Sequence, residues 1–282
     1  ELHEFEDEES FYSFLDLPLI PPEIRQGKNE VELAANNNLP KLVTVEDIRG
    51  DLHMHTDLSD GLNTAEEMVE AARERGYEYM ALTDHSPSVQ SRGYDAVKSI
   101  IEKKRKDYNE LNDINPDIEI LYGYEVNILA DATLSLPDDL LEKLDIVIAG
   151  VHTAFGQDRE TLTNRFEMAI KHPLVDIIAH PTGRLINDRE GMDVNWMELF
   201  ELVKEHNKIL EINSFPERLD LPYDLLREAK NMGIKLIINT DAHQAKWLDY
   251  IKYGVSVARR GFCEPNDILN TLPREEFLKK LK

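Results

Sequence analysis

The sequence has little cysteine, few basic residues and no long apolar run. A single cysteine, Cys263, among 282 residues excludes an internal disulfide and favours a reducing, cytoplasmic location. No apolar run approaches the roughly 18 residues needed to cross a bilayer, so no membrane association is expected. The first residues, ELHEFEDEES, are acidic, lack an initiator Met and do not resemble a signal peptide. They suggest a chain cut from a longer one, or an engineered boundary.

Basic residues are scarce relative to acidic ones. The chain has 32 Lys and Arg against 55 Asp and Glu, which gives a formal net charge of −23. Tight, non-specific binding of nucleic acid needs clustered Lys and Arg, so the charge argues against such binding by this chain alone. A phosphate-bearing substrate is not excluded, because bound divalent cations reverse the local field in a pocket.

The chain divides into an irregular start and a regular body. Residues 1–45 mix short apolar clusters with Pro-Pro and an Asn run, which predicts an N-terminal extension or linker with two short helices. In residues 46–282, apolar β-branched runs alternate about seven times with amphipathic stretches. One of these, NTAEEMVEAARERG, predicts a helix capped at Asn63 or Thr64 and ended by Gly76. The pattern predicts an α/β fold with a parallel sheet, either closed into a barrel or open and doubly wound.

Histidines and carboxylates recur where a predicted strand meets the following loop. In DLHMHT the two histidines alternate along a strand and therefore face the same side. Active sites of parallel α/β proteins lie at this end of the strands. The candidates are His53, His55, Asp60, His85, Glu125, His152, His180, Asp241 and His243.

Each candidate also has an ordinary structural explanation. A lone His after a strand is usually a loop hydrogen-bonder, Asp60 suits a turn, Asp241 suits a helix cap and Glu125 suits a solvated edge. Separate explanations of this kind do not account for the whole set, because six of the nine histidines lie at the same end of successive predicted strands. A set of this size predicts a site for two or three metal ions. The histidines and aspartates assigned to structural or supporting roles are His3, His172, His206, Asp57 and Asp84.

The segments DLHMHT…SDG, LTDHS, GYEVN, AGVHT, AHPTGRL and INTDAH resemble, in order and spacing, the PHP (polymerase and histidinol phosphatase) domains over about residues 48–265. The resemblance implies a distorted (β/α)7 TIM-like barrel, a trinuclear metal site and phosphoester hydrolysis. All nine ligand positions of the family are filled. The implied ligand sets are His53, His55, Glu125 and Asp241 for one metal, Glu125, His152 and His180 for a second, and Asp60, His85 and His243 for the third.

Within this family, the sequence more closely resembles the C-terminal PHP domain of bacterial and archaeal family X DNA polymerases. The segments FLDLPLIPPEIRQGKNEVELA, AHPTGRLINDREGMDVN and YGVSVARRGFCEPNDILNTL carry this likeness. The subgroup implies a metal-dependent 3′–5′ exonuclease that acts on DNA 3′ ends, with a polymerase domain preceding it in the full-length chain. The segment SPSVQSRGYD departs from the Asn-Gly-containing segment expected there.

Imidazole and carboxylate ligands without thiolate suit Mn²⁺, Zn²⁺ or Fe²⁺, and the resemblance favours Mn²⁺. Arg184, in HPTGR, is the first choice for a cation that contacts phosphate, against the alternative of a surface arginine. Arg218 is the second choice.

Three functions remain open at this point. The first is a 3′–5′ exonuclease or 3′-end processing enzyme. The second is a small-molecule phosphatase acting on histidinol phosphate or a nucleotide. The third is a metal-stabilised module that supports a polymerase without chemistry of its own, and it ranks last because no ligand position is lost.

Overall fold

The computed structural model describes residues 2–281, which contain one sheet of seven parallel strands in the order of the sequence. Each strand pairs with the next one along the chain, as expected for repeated strand–helix units. The strands are β1 (Gly50–Asp51), β2 (Tyr79–Leu82), β3 (Glu119–Asn127), β4 (Ile146–Gly150), β5 (Ile177–Ile178), β6 (Ile209–Asn213) and β7 (Lys235–Asn239).

The sheet curls into a nearly closed barrel. Just past the ends of β1 and β7, Met54 and Ala242 form a parallel bridge, and the amide N of His55 donates to the carbonyl O of Ala242 at 2.8 Å. The predicted (β/α)7 barrel is therefore confirmed, and the open doubly wound alternative is wrong.

Strand β1 is shorter than the run IRGDLHMHT predicts. The three amides that follow Asp51, the last residue of β1, donate to side-chain oxygens: Leu52 to Asn239, His53 to Asp51 and Met54 to Thr83. Side chains thus replace the backbone ladder. His53 and His55 are both fully buried in the barrel mouth, so the expectation that they face the same side holds.

Helices separate the strands and cover the barrel. They are α1 (Glu8–Phe14), α2 (Glu30–Ala35), α3 (Ala65–Glu74), α4 (Val89–Arg92), α5 (Tyr94–Ile114), α6 (Asp138–Leu141), α7 (Arg159–Lys171), α8 (Trp196–Glu205), α9 (Tyr223–Asn231), α10 (Ile251–Arg260) and α11 (Arg274–Leu281). Helix α3 shows the predicted signals: Thr64 is the cap, Glu67 completes a capping box, and Gly76 follows with φ of 73°.

The barrel interior is apolar at one end and polar at the other. Inward positions near the amino ends of the strands, including Leu121, Ile146 and Ile209, form one buried cluster. Phe277 of α11 stacks on Tyr79 at 4.1 Å between ring centroids and belongs to this cluster. Because strand side chains alternate, the same inward row reaches Glu125 on β3 and Glu211 on β6 towards the carboxyl end.

The N-terminal segment packs on the outside of the body. Ile20, Ile24 and Leu42 form a small buried cluster with Phe262, and the Glu23 carboxylate pairs with Arg259 at 2.7 Å. The division at about residue 45 stays a prediction. No helix within residues 2–281 has the length and apolarity of a membrane span.

Candidate metal centre

The nine predicted ligands converge at the carboxyl ends of the strands, around Glu125. His53, His55, Glu125 and His180 are buried, whereas Asp60 remains exposed at the rim. The bottom of the site is therefore inaccessible to solvent, and its rim is exposed. Three groups of side chains have ligand atoms within 4.8 Å of one another: His55, Asp60, His85 and His243; His53, His55 and Asp241; and His85, Glu125 and His152.

One Glu125 oxygen contacts two imidazoles. Oε1 lies 2.9 Å from His152 Nε2 and 2.7 Å from His180 Nε2. Close approach here requires a glycine, because a Cβ on Gly150 would lie 2.7 Å from His180 Cε1 and 3.1 Å from Glu125 Oε1. The end of β4 is thus shaped to admit these two side chains.

The other Glu125 oxygen faces the two histidines of DLHMHT. Oε2 lies 3.5 Å from His53 Nε2 and 3.7 Å from His55 Nε2. Asp241 Oδ1 lies 3.6 Å and 3.1 Å from the same two nitrogens. Two carboxylates and two imidazoles thus surround one point beneath the mouth.

Asp60 gathers the remaining histidines at the rim. Its Oδ2 lies 3.4 Å from His85 Nε2 and 3.3 Å from His243 Nε2, and its Oδ1 lies 3.6 Å from His55 Nδ1. His85 also reaches Glu125, with 3.0 Å between Nδ1 and Oε2. Through His55 and His85 the rim group is joined to the buried groups.

The donor set fits divalent metal ions. His53 Nδ1 lies 2.7 Å from Glu211 Oε1, which favours the tautomer with its proton on Nδ1 and a lone pair on Nε2. That buried Nε2 has no hydrogen-bond partner and faces oxygens of Glu125 and Asp241. Lone pairs that face one another in this way need a cation or a proton between them.

The electrostatics of the cluster agree with this fit. Burial lowers the pKa of His53, but the charges of Glu211, Asp241 and Glu125 outweigh it and hold the pKa well above its usual value. Burial raises the pKa of Glu125, and the surrounding imidazoles reverse that shift to well below the usual value. The cluster thus keeps its carboxylates ionised and attracts positive charge.

Two candidate ligands have unusual backbones. His180 has φ of 28° and Asp241 has φ of 55°, a left-handed region that residues other than Gly adopt rarely. Such conformations concentrate at functional sites, where the surrounding structure holds them. Each residue lies two positions past the end of its strand, His180 after β5 and Asp241 after β7, where the chain leaves the barrel.

Sequence reasoning missed Glu211. Besides contacting His53, its carboxylate accepts from the backbone N of His180 at 2.7 Å and from the side-chain amides of Asn213 and Asn239 at 3.0 Å. It is fully buried. The available signal was a single Glu inside the apolar strand KILEINS, since an unpaired buried charge is costly.

Asp84 supports the site without joining the ligand groups, as predicted. Its carboxylate accepts from the backbone N of Thr56 at 2.6 Å and from Ser59 Oγ at 2.7 Å, and it pairs with the buried Lys104. These contacts tie the loop after β1 to α5. The loop is therefore anchored through Thr56 and Ser59, just before Asp60.

The two arginines have different surroundings. Arg184 Nε donates to the carbonyl of Arg218 at 2.7 Å, and one terminal nitrogen donates to the carbonyl of Leu219. Arg218 Nε lies 3.4 Å from Asp241 Oδ2, so its guanidinium borders the ligand cluster. The geometry favours Arg218 over the first-ranked Arg184 as the cation nearest the site.

Comparison with known proteins gives a family and a set of relatives. The profile of the PHP domain matches residues 51–215. The chain is 42% identical over 284 residues to the DNA polymerase/3′-5′ exonuclease PolX of Bacillus subtilis (strain 168), which covers 99% of this chain and 49% of PolX. It thus spans about half the length of that relative. A probable phosphatase of Thermoanaerobacter sp. (strain X514) is 30% identical, with 82% of this chain and 95% of the phosphatase covered.

Solved structures support the fold. The histidinol phosphate phosphatase HISK of Lactococcus lactis, complexed with Zn, L-histidinol and phosphate, aligns with a TM-score of 0.52 at 18% identity, covering 77% of this chain and 95% of that one. The putative histidinol phosphatase hisK of Listeria monocytogenes aligns with a TM-score of 0.53 at 14% identity, covering 71% and 97%. At these identities the likeness concerns the fold alone.

Proposed function

Because the chain belongs to the PHP domain family, we propose that it is a metal-dependent phosphoesterase acting as a 3′–5′ exonuclease on DNA ends. The observation that carries this proposal is the 42% identity to PolX over 99% of the chain. The clustered imidazoles and carboxylates at the barrel mouth support it, because their spacing suits several metal ions.

We propose three divalent metal ions, with Mn²⁺ favoured and Zn²⁺ or Fe²⁺ as alternatives. The contacts around Glu125 and Asp60 support the division into three sites. The proposed sets are His53, His55, Glu125 and Asp241; Glu125, His152 and His180; and Asp60, His85 and His243. Bound there, the metals would supply a hydroxide near neutral pH and neutralise charge on the phosphate oxygens.

The protein's own side chains would hold and orient the reactants. Arg218 would bind a non-bridging phosphate oxygen from the rim, since its guanidinium borders Asp241. Glu211 would hold the tautomer and orientation of His53 through Nδ1. In hydrolysis, oxygen from water bonds to phosphorus, the bond from phosphorus to the 3′ oxygen breaks, and that oxygen takes a proton.

The substrate and the context follow from the same proposal. The 3′ end of DNA would be the substrate, and a polymerase region in a full-length chain would be the partner, since the matched relative is about twice as long. The proposed location is cytoplasmic, which agrees with the single cysteine of the chain. The charge of −23 makes the metals and Arg218 the main attraction for phosphate at the mouth.

A small-molecule phosphatase is the second candidate. The probable phosphatase of Thermoanaerobacter sp. supports it, because the match covers 95% of that relative without a further domain. The two candidates differ in substrate length: a single-stranded oligonucleotide for the first and a phosphomonoester for the second. A metal-stabilised structural module is the third, and it requires no hydrolysis at all.

The test is a manganese titration with a 5′-labelled single-stranded DNA oligomer, with products resolved on a gel. We expect a ladder that shortens from the 3′ end and that is abolished in Asp241→Asn. The matched control is Asp193→Asn, whose carboxylate is 74% exposed in a surface pair with Arg159. Hydrolysis that survives Asp241→Asn overturns the metal-site mechanism. An intact oligomer with turnover of phosphomonoesters favours the phosphatase, and no hydrolysis of either favours the structural module.

A further inference from the structure

A cavity of about 470 Å³ opens beside the candidate metal centre. Its volume lies within the range of about 300–1,000 Å³ typical of small-molecule sites. Asp60, Asp241 and His243 border it on the side of the ligand cluster, and Phe215 and Trp247 line it as well. A molecule whose phosphate lies over the cluster would therefore extend its remaining part towards aromatic rings.

Phe215 and Trp247 form an aromatic wall of the cavity, and neighbouring rings pack against it. Trp247 and Phe215 have ring centroids 5.3 Å apart at 58°, and Trp247 lies 6.0 Å from the His243 ring. Tyr250 stacks beside Trp247 at 5.8 Å and 21°. Rings held in this way lose little conformational entropy on binding, so they favour a flat, aromatic ligand.

Polar side chains also line the cavity, where they could contact the phosphate and the edge of a heterocycle. Arg218 lines the cavity and lies next to Asp241, so it marks the phosphate end. Gln244 and Glu217 also line the cavity. Their amide and carboxylate offer hydrogen bonds to the edge of a heterocycle without restricting its identity.

We propose that this cavity binds the nucleobase of the nucleotide being removed, with Trp247 as the stacking surface. The inference rests on the proposed function and specifies its substrate class. Stacking on an aromatic ring accepts every base, because each has a π-face, which suits an enzyme that shortens a strand of any sequence. A phosphate ester with a small aliphatic group would leave the wall without a partner.

The first experiment compares two oligomers that differ only at the 3′ terminus, one with thymidine and one with an abasic tetrahydrofuran residue. Base stacking is worth about 1–3 kcal/mol, so Trp247→Leu should lower the ratio of kcat/KM for the normal over the abasic terminus by about 5- to 150-fold. Trp247→Phe keeps a ring and should restore most of the ratio. Trp196→Leu, which changes the other tryptophan, at the start of α8, is the matched control and should leave the ratio as it is.

The second experiment measures binding without turnover. In Trp196→Phe, Trp247 is the single remaining tryptophan, so its fluorescence reports stacking directly. Titration with dAMP should quench it and give a dissociation constant about 5- to 150-fold below that of deoxyribose 5-phosphate. Equal affinity for the two probes, or an unchanged ratio in Trp247→Leu, overturns the proposal.

The two experiments separate this inference from the proposed function. If the unaltered protein hydrolyses both oligomers with equal efficiency, the exonuclease is supported and the base pocket is contradicted. If neither oligomer is hydrolysed but dAMP binds tightly, the base pocket is supported and the exonuclease is contradicted. Release of inorganic phosphate from dAMP would assign the base to a free nucleotide and would still support the pocket.

Discussion

Glu125 is the residue on which the candidate site depends most. One oxygen contacts His152 and His180, and the other faces His53 and His55. A carboxylate is the only side chain of this size with two equivalent anionic atoms, so it can serve two metals at once. Every other candidate ligand is arranged around it.

At the residue scale, we predict that Glu211→Gln weakens metal binding about 10- to 100-fold without unfolding the protein. The amide is isosteric, but it removes the charge beside His53 Nδ1. It also places a donor at one of two oxygens that each accept from two donors, Oε1 from His53 and Asn239 and Oε2 from His180 and Asn213. Competition with a chelator measures the affinity.

Glu217→Gln, at an exposed position in the loop after β6, is the control for charge alone. Equal metal affinity in Glu211→Gln and the unaltered protein would contradict a positioning role for Glu211.

At the scale of elements, the strand ends shape the site. Gly150 closes β4, and a side chain there would collide with His180. We predict that Gly150→Ala reduces the bound metal measured by elemental analysis and lowers hydrolysis at least 10-fold, because a ligand misplaced by about 1 Å is enough for such a loss.

Gly156→Ala is the matched control, because a Cβ at Gly156 meets nothing within 4 Å. Full metal content in Gly150→Ala would show that the close approach at the end of β4 is not needed.

Helix α11 closes the opposite end of the barrel. Phe277 is fully buried against Tyr79. We predict that Phe277→Ala lowers the free energy of unfolding by about 3–5 kcal/mol, measured by denaturant titration, because it leaves a cavity in the barrel plug. Phe14→Ala, at a side chain that is 57% exposed, should cost less than about 1 kcal/mol. Similar losses in both variants would contradict the plug.

At the scale of the whole molecule, the barrel gathers negative charge at one mouth. Asp60, Glu125, Glu211 and Asp241 lie within one cluster, in a chain of net charge −23. A metal ion that binds one site of the folded state alone stabilises that state by RT ln(1 + [metal]/Kd).

We therefore predict that chelation lowers the Tm of the protein and that Mn²⁺ restores it. At free Mn²⁺ of about 100 times Kd, each occupied site should add about 2.7 kcal/mol to the free energy of unfolding. Asp241→Asn should reduce the difference between the chelated and metal-loaded forms. A Tm that does not respond to chelation or to Mn²⁺ would contradict metal binding at this mouth.

The sequence by itself determined the fold class and the membership of the candidate site. Alternation of strands and helices follows from local periodicity, and the residues after each strand must meet at one end because parallel strands share a direction. This is why His53, Glu125 and Asp241 could be named together from the sequence. Their binding of metal stays a prediction.

Only the tertiary structure decided the supporting contacts. These contacts pair segments that are distant in the sequence. Glu211 contacts His53, and Arg218 rather than Arg184 borders Asp241. Trp247 and Phe215 line the same cavity as His243. Local pattern carries no information on such pairings, because strand tilt and loop path set which side chains touch. The bridge between Met54 and Ala242 that closes the barrel is also a contact between distant segments.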